Sequence, residues 1–504
     1  MKGFDNKKKS EKKIIKNTRN NNFKAQIIRK AFNFHAKGDI AKAIKCYKYF
    51  INQGFVDTKV FLNYGALLKD LGKISEAELF IRKAIELNPN FAMSHSNLGI
   101  ILKDLGKLEE AEISLRKAIE LNPNSSDAYG NLGGLLRDLR KLEEAELFIR
   151  KAIELNPKSS DAYVNLGGLL RDLGKLEEAE ISLRKAIELN PKFTDAYLNL
   201  GGVLRDLGKL EEFILISQTI IKTKSLNKGY KLRALINITI GNLLLKNFSE
   251  TFFNINKTNE LISEGALNLI QDKQNRKHVS VFSRFISSLY PLLQKNSDHN
   301  HLKRIPHFGE SHCLCFAHQM VSISSQLNQI QPVLITGAKA WHFASSEMNK
   351  WKDSLNKQVK KHAYSDIVFI SFGEIDCRKD EGIVPFILKS NKDILEVCND
   401  TVNGFVNHME IILSPHYSQR YYFGIPAPSI KEVTDELDLK RMETIKIYNS
   451  FLKKKILSCG SYFVDVYKLT SSANGINNNI HMCDKTHLSP ESLSILFNDY
   501  LCKP

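Results

Sequence analysis

The chain has 504 residues, of which 43% are hydrophobic and 25% charged, and its formal net charge at pH 7 is +17. This length predicts two to four domains, and the composition is typical of a globular, soluble protein. The sequence predicts no transmembrane segment, because no stretch approaches the ~18 consecutive apolar residues that a membrane-spanning helix needs.

Residues 1–22 form a basic segment, MKGFDNKKKSEKKIIKNTRNNN. They lack the apolar core and small-residue cleavage site of a secretory signal, so we expect a disordered tail and a cytoplasmic protein. Positive charge attracts nucleic acid, anionic lipid or acidic glycans, but it also serves solubility in a chain rich in Lys and Asn. No nucleic-acid-binding module accompanies the charge, so no nucleic-acid partner is expected.

An internal repeat of 34 residues runs through the N-terminal part of the chain. Three kinds of residue recur at this spacing: Asn63, Asn97, Asn131, Asn165 and Asn199; Gly65, Gly99, Gly133, Gly167 and Gly201; Pro89, Pro123, Pro157 and Pro191. A fixed period of this kind indicates stacked structural units. The pattern resembles the tetratricopeptide repeat family over residues 23–226, with about six repeats of which the outer ones are degenerate.

Each unit predicts two amphipathic helices joined by a short turn. Gly133 lets the paired helices approach closely, as small Ala145 does from the other side, and a proline ends the second helix. Phe213 stands where earlier units have alanine, and a large residue there is expected to clash with this pairing. Residues 227–299 are therefore predicted to be a helical cap and linker.

The repeating asparagines suggest a ligand for this α-solenoid. The resemblance implies that the first helix of each repeat lines the concave face. The five repeating asparagines then form a row along this face, called the asparagine ladder below. An amide can donate and accept hydrogen bonds, so the ladder could bind the backbone of a protein or peptide of any sequence. Alternatively, each asparagine bonds its own or the neighbouring repeat's backbone.

From about residue 300 short apolar runs alternate with helical stretches. The runs RIPHFG, PVLITG, DIVFISFG, RYYFGIPAP and SYFVDVYKL predict five strands. Strands that alternate with helices predict a parallel α/β sheet whose functional residues lie at the carboxyl ends of the strands.

Polar residues follow several of these strands in four short blocks: Gly309-Glu310-Ser311-His312, then Gly337, then Gly373-Glu374-Ile375-Asp376-Cys377-Arg378, and finally Asp484-Lys485-Thr486-His487. Their order resembles the SGNH (GDSL) hydrolase superfamily over residues 300–504. The resemblance implies a flavodoxin-like three-layer α/β/α fold with a parallel sheet.

The same resemblance implies a catalytic triad. Ser311 would be the nucleophile, His487 the general base and Asp484 the residue that orients the imidazole. Backbone amides of Ser311 and Gly337 would stabilise the oxyanion, in an ester hydrolysis or O-acyl transfer on a glycan or other ester. The remaining predicted pocket residues are His312, Gly373, Glu374, Asp376 and Arg378.

Two residues depart from the superfamily pattern. Glu310 replaces an aspartate, which keeps the charge and is interpreted as a minor change. Ile375 stands at the position of an asparagine that donates to the oxyanion, and losing such a donor costs ~100- to 1000-fold in turnover. Either His312, Asp376 or Arg378 substitutes, or the domain is a non-catalytic part of an interaction scaffold.

Two further questions concern other chemistry. A glycosyltransferase is a third alternative, although no nucleotide-sugar domain is recognised after the repeats. The eight cysteines contain no Cys-x-x-Cys pair, so they predict reduced thiols rather than disulfides or a metal site, and no cofactor is expected.

Overall fold

The computed structural model describes residues 22–223, 226–270, 272–293, 302–379, 382–430, 433, 435–484 and 486–504. The predicted basic tail lies outside the described residues except for its last position, residue 22. The chain divides into two compact units between Leu169 and Leu170. The predicted boundaries at residues 226 and 299 stay predictions.

Residues 22–263 form successive helix pairs, which agrees with the predicted two helices per repeat. The helices are α1 (22–36), α2 (Ile40–Asn52), α3 (Thr58–Asp70), α4 (Ile74–Leu87), α5 (Ala92–Asp104), α6 (Leu108–Leu121), α7 (Ser126–Asp138), α8 (Leu142–Leu155), α9 (Ser160–Asp172), α10 (Leu176–Leu189), α11 (Thr194–Asp206), α12 (Leu210–Lys222), α13 (Lys228–Leu244) and α14 (Phe248–Ser263).

The turn inside each regular pair needs a left-handed backbone conformation. Gly106 has φ of +75° and Gly174 has φ of +78°, a region that glycine enters without steric cost. Arg140 takes the equivalent position in α7–α8 with φ of +62°, so this turn carries strain that its neighbours avoid.

The repeating glycine on the first helix allows the close pairing that the sequence predicts. A Cβ on Gly133 would lie 2.4 Å from Ile149 Cγ1, closer than real carbon contacts allow. The clash expected at Phe213 does not occur. Phe213 is fully buried, and a Cβ on the facing Gly201 would lie 3.5 Å from its ring, which is ordinary contact.

The second unit continues from α10 into a mixed α/β region. Its further helices are α15 (Lys273–Leu293), α16 (Ala340–Ala344), α17 (Lys350–Lys361), α18 (Ile383–Ser390), α19 (Ile394–Leu413), α20 (Glu436–Ser458), α21 (Val466–Thr470) and α22 (Ser492–Asp499). Short 3-10 turns lie at Ala266–Leu269 and Ser311–Leu314. The strands are β1 (Lys303–Gly309), β2 (Met320–Ile323), β3 (Gln326–Leu334), β4 (Ile367–Ser371), β5 (Gln419–Phe423), β6 (Tyr462–Val464) and β7 (Leu501–Cys502).

All five predicted strands are present and parallel to one another, but two edge strands that the sequence did not predict make the sheet mixed. The spatial order is β2-β3-β1-β4-β5-β6-β7, and the central five strands are parallel. The edge strands β2 and β7 pair antiparallel with β3 and β6. β2 joins β3 through Ser324 and Ser325, both with positive φ, and serine is a weak sequence signal for such a hairpin turn.

Helices cover both faces of the sheet. Buried residues of α13 and α15, among them Ile240 and Phe285, form one apolar cluster with β1 and α22. Residues of α17, α19 and α20, among them Leu355 and Phe405, form a second cluster with the opposite face. The helices that follow the sixth pair are thus part of the core of the sheet.

The α/β region also contacts the turns of the repeats that belong to the same unit. Ser354 Oγ of α17 donates to the Asp206 backbone oxygen at 2.8 Å, and Lys361 Nζ donates to the Gly208 oxygen at 2.6 Å. These bonds satisfy the carbonyl of the last residue of α11 and one in the turn that follows it.

No helix in the described part of the chain is both long and apolar enough to cross a membrane.

Candidate active site

Ser311, His487 and Asp484 come together although Ser311 and His487 are 176 residues apart in the sequence. His487 Nε2 lies 2.9 Å from Ser311 Oγ, and His487 Nδ1 lies 2.8 Å from Asp484 Oδ2. Ser311 and His487 are 3% and 1% exposed. Each neighbouring pair is within hydrogen-bond reach, in the order that nucleophilic catalysis by serine requires.

Local backbone structure positions Ser311 and Asp484, the two ends of this series of hydrogen bonds. Ser311 begins a 3-10 turn directly after the residue that follows β1. Asp484 Oδ1 accepts from the backbone N–H groups of Thr486 and His487 at 2.7 and 2.8 Å. Burial alone would raise the pKa of Asp484, but its bonds with the His487 ring and these amides hold that pKa well below its usual range.

The Glu310 side chain contacts Ser311, the predicted nucleophile. Its Oε2 accepts hydrogen bonds from both the backbone N–H and the hydroxyl of Ser311, each at 2.5 Å. The Ser311 N–H that the sequence predicts as an oxyanion donor is therefore engaged by a carboxylate. The interpretation of Glu310 as a minor change is wrong, since its longer side chain can curl back onto the next residue.

A small cavity lies beside Ser311. It has a volume of about 30 Å³, and Glu310, His312, Gly373, Glu374 and Ile375 line it together with apolar side chains. At ~10–15 Å³ per water molecule, this volume accommodates about two waters. Ser311 and His487 are not among the residues that line it.

The predicted pocket residues Glu374 and Arg378 form an ion pair. Arg378 Nε donates to Glu374 Oε2 at 2.8 Å, and an Arg441 nitrogen lies 3.5 Å from Glu374 Oε1. Burial alone would raise the pKa of Glu374, but the Arg378 charge and the other cationic neighbours lower it to about 2. Arg378 thus neutralises Glu374 and lies outside the cavity lining. Sequence reasoning missed Arg441, which is distant in the chain.

Asp376 does not line the cavity. Its carboxylate accepts from the backbone N–H groups of Ala340 and Trp341 at 2.7 and 3.1 Å, and so caps α16. Burial raises the pKa of Asp376 to about 6 in spite of these bonds. Asp376 orders the segment after Gly337 and offers no donor to an oxyanion.

The two predicted glycines have the positive φ angles that favour glycine, +69° at Gly337 and +114° at Gly373. Gly373 lines the cavity. Gly337 does not, but the residue after it, Ala338, does. An oxyanion role for the Gly337 amide stays a prediction.

His312 lies between the triad and the cavity. Its Nε2 donates to the Thr486 backbone oxygen at 3.1 Å, because a carbonyl can only accept. Burial, with the nearby His487, lowers the pKa of His312. A neutral ring with Nε2 protonated leaves Nδ1 as an acceptor, so this residue does not replace the missing oxyanion donor.

Sequence reasoning missed two polar residues of the cavity lining, His307 and Ser371. Both nitrogens of His307 and the Ser371 hydroxyl have no hydrogen-bond partner among the described residues. Burial lowers the pKa of His307 to about 3, and its ring stacks on Phe316 and Phe423, which also contact each other. His307 and Ser371 both lie within the apolar runs that predict strands. Their apolar neighbours in the sequence gave no reason to select them as site residues.

The asparagine ladder lies on the first helices of the pairs, with every member half-buried. Asn131 Nδ2 lies 3.5 Å from Ser96 Oγ, and Asn165 Nδ2 lies 3.5 Å from the Gly130 oxygen. Both distances are at the upper limit for a hydrogen bond. The amides therefore contact the preceding repeat weakly.

The cysteines are all unpaired, and burial raises the pKa of Cys313 and Cys377 well above the usual value. Within the described ranges, no group of three or more His, Cys, Asp or Glu side chains is arranged to hold a metal ion.

Comparisons with known proteins identify the helix pairs. Family models described as tetratricopeptide repeat match residues 58–91 and 160–193, residues 92–125 and residues 114–146. The helix pairs within these residues are tetratricopeptide repeats. None of the curated proteins compared with the chain matches it.

Several solved structures, among them two of tetratricopeptide repeat proteins, are similar to part of the chain. A protein from Parabacteroides merdae is 18% identical, with 52% of this chain and 98% of that one covered at a TM-score of 0.41. PilF of Pseudomonas aeruginosa is 18% identical, with coverage of 44% and 96% and a TM-score of 0.36. YrrB, described as having an unusual peptide-binding site, is 24% identical, with coverage of 35% and 90% and a TM-score of 0.28.

Proposed function

We propose that the C-terminal region is an SGNH-type acyl hydrolase or O-acyltransferase that uses Ser311, His487 and Asp484. The observation that carries this proposal is the pair of distances that link the three side chains, 2.9 Å and 2.8 Å. A serine, a histidine and a carboxylate in this sequence of bonds can activate a hydroxyl for attack on an ester.

The topology supports the same proposal. Numbered along the chain, the five parallel strands have the spatial order 2-1-3-4-5, which is the flavodoxin-like order. In open α/β sheets, ligands bind outside the carboxyl ends of the strands where the order reverses. The first of these strands ends at Gly309, two residues before Ser311.

The chemistry follows from the contacts. Ser311 Oγ attacks the acyl carbon while its proton passes to His487 Nε2, and Asp484 stabilises the imidazolium through Nδ1. The tetrahedral intermediate collapses as the leaving oxygen takes this proton. Water, or a hydroxyl of an acceptor, then attacks the acyl-serine with His487 again as base, which releases the acid or transfers the acyl group.

The small cavity beside Ser311 favours a short acyl group, and the resemblance to the superfamily suggests a glycan as its carrier. A volume of about 30 Å³ suits an acetyl-sized group better than a fatty acyl chain. To free the Ser311 amide for the oxyanion, the Glu310 carboxylate must leave its present position.

The test combines turnover with covalent labelling. We expect the full-length chain to hydrolyse p-nitrophenyl acetate and to be labelled by a fluorophosphonate, and S311A and H487A to lose both properties. C313A, at a buried thiol beside the site, is the control and should retain labelling. Unchanged turnover in S311A would reject Ser311 as the nucleophile.

A second candidate function is a non-catalytic scaffold. It is favoured by Ile375 at the cavity and by the Glu310 carboxylate on the Ser311 amide, which together leave the oxyanion without two expected donors. A wild-type chain that binds partners but resists fluorophosphonate at millimolar concentration would support the scaffold.

For the repeats, we propose that the asparagine ladder binds an extended peptide. The support is that the Asn131 and Asn165 amides have only long contacts with the preceding repeat, so a peptide backbone could replace them. An array of unstructured peptides is the probe. Binding to wild type that survives in N131A/N165A would contradict this role, and N122A/N156A, at the ends of α6 and α8, is the control.

A further inference from the structure

We propose that Phe285 is a positioning residue for His487, so that the helix after the last repeat pair completes the active site. This inference rests on the acyl-transfer function proposed above. It concerns α15, which that function does not require and which the sequence predicts only as a linker.

The contact is a ring stack inside the core. The centroids of the Phe285 and His487 rings lie 3.8 Å apart with an interplanar angle of 23°. Phe285 is fully buried, and it shares an apolar cluster with Leu488, the residue after the histidine. The stack therefore has little freedom to open.

Phe285 adds a constraint that the hydrogen bonds of His487 do not supply. The bonds to Asp484 and Ser311 fix the two nitrogens but leave the ring free to tilt about the line between them. An aromatic side chain packed on one face removes that tilt and excludes water from the face. Nε2 is then held toward Ser311 Oγ before substrate arrives.

The stack also favours the charged form that appears during the reaction. When His487 takes the serine proton, an imidazolium lies over the face of a phenyl ring. Cation–π contacts of this kind are more stabilising the further they are desolvated, and this one is buried. Because the charge forms only on proton transfer, the effect falls on kcat and leaves KM unchanged.

The position of α15 connects the Phe285–His487 contact with the helices that follow the repeats. α15 contacts α13 and α14, the helix pair that follows the sixth repeat. Its buried residues Val279 and Phe282 pack with Ile236 of α13 in the cluster that covers the sheet. The catalytic histidine thus rests on helices that continue the repeat region within the same compact unit.

The experiment compares leucine substitutions at two phenylalanines of α15 in the full-length chain. F285L keeps apolar volume but removes the aromatic face from His487. F282L is the matched control, because Phe282 is 4% exposed, belongs to the same cluster and contacts the His278 ring at a tilt instead. We expect F285L to lower kcat for p-nitrophenyl acetate about tenfold with KM unchanged, and F282L to change kcat less than twofold.

One further variant, together with Tm and fluorophosphonate labelling, makes the result decisive. F285Y restores an aromatic face and is expected to restore most of kcat, which a role in packing alone would not explain. Equal kcat losses in F285L and F282L at similar Tm, or no rescue by F285Y in a folded chain, would overturn the inference while leaving the triad intact. A wild-type chain that neither turns over substrate nor labels at Ser311 removes the proposed function and this inference together.

Discussion

Glu310 and Ser311 are linked by two hydrogen bonds to one carboxylate oxygen, which accepts from the backbone N–H and from the hydroxyl of the serine. The hydroxyl has one proton, so it cannot donate to Glu310 and to His487 Nε2 at the same time. While its proton points to Glu310, the Ser311 hydroxyl does not donate to His487, although Oγ lies 2.9 Å from Nε2. Displacement of the Glu310 carboxylate is the step that would start the reaction.

Shortening Glu310 is therefore expected to activate the serine. In E310D the carboxylate is one methylene shorter and cannot bridge both groups of Ser311. Hydrogen bonds to charged groups contribute ~1.5–3 kcal/mol, so we expect fluorophosphonate labelling to accelerate roughly 10- to 100-fold. The rate of labelling is measured by mass spectrometry. E310Q, which keeps the length, should change the rate less, and a slower rate in E310D would contradict the idea.

Restoring an amide at residue 375 is expected to raise turnover. Ile375 lines the cavity and is 6% exposed, at the position where the superfamily pattern has an oxyanion donor. Since removal of one such donor costs ~100- to 1000-fold, I375N should increase kcat by at least about tenfold. I375V, which stays apolar, is the control. If both variants keep wild-type kcat, the asparagine position is not near the oxyanion.

The Glu374 ion pairs predict a specific loss of stability in acid. Burial would raise the pKa of this carboxyl, but Arg378 and other cations lower it to about 2, below the ordinary 4.5. Between these values the unfolded chain binds more protons than the folded one. The stabilisation is complete above pH 4.5 and is lost as pH falls toward 2, at up to ~1.4 kcal/mol per pH unit.

Urea unfolding at a series of pH values measures this effect. E374Q should reduce the slope of the unfolding free energy against pH in that window. E347Q, at an exposed glutamate, should retain the wild-type slope. Equal slopes in all three chains would show that the Glu374 pairs do not report on acid stability.

Two adjacent glycines of α7 give a matched test of the repeat packing. A Cβ on Gly133 would lie 2.4 Å from Ile149, whereas one on Gly134 would meet only the end of Lys103 at 3.9 Å. We expect G133A to destabilise the chain by ~1–3 kcal/mol through overpacking. G134A should be neutral or stabilise it by ~0.5–1 kcal/mol, because alanine loses less entropy in a helix. Thermal unfolding separates the two, and a similar loss of Tm in both would refute the packing argument.

The sequence by itself determined the features that depend on neighbours along the chain. The same local geometry recurs in each repeat. It explains the 34-residue period, the turn glycines such as Gly106 and the close-packing glycines such as Gly133. The five parallel strands were also predictable, since each is a short apolar run between turn signals. The polar blocks at Ser311 and His487 could be recognised because their members are close in sequence.

Only the tertiary structure decided which distant groups meet. The sequence could not show that Phe285 stacks on His487, that Asp376 caps α16 or that Arg441 faces Glu374, because each contact joins separate elements of the sheet and its covering helices. It also gave no sign that Glu310 would curl back onto Ser311, since this depends on a side-chain rotamer in a small cavity. Residue type and spacing fix what a group can do chemically, whereas packing fixes which partner it reaches.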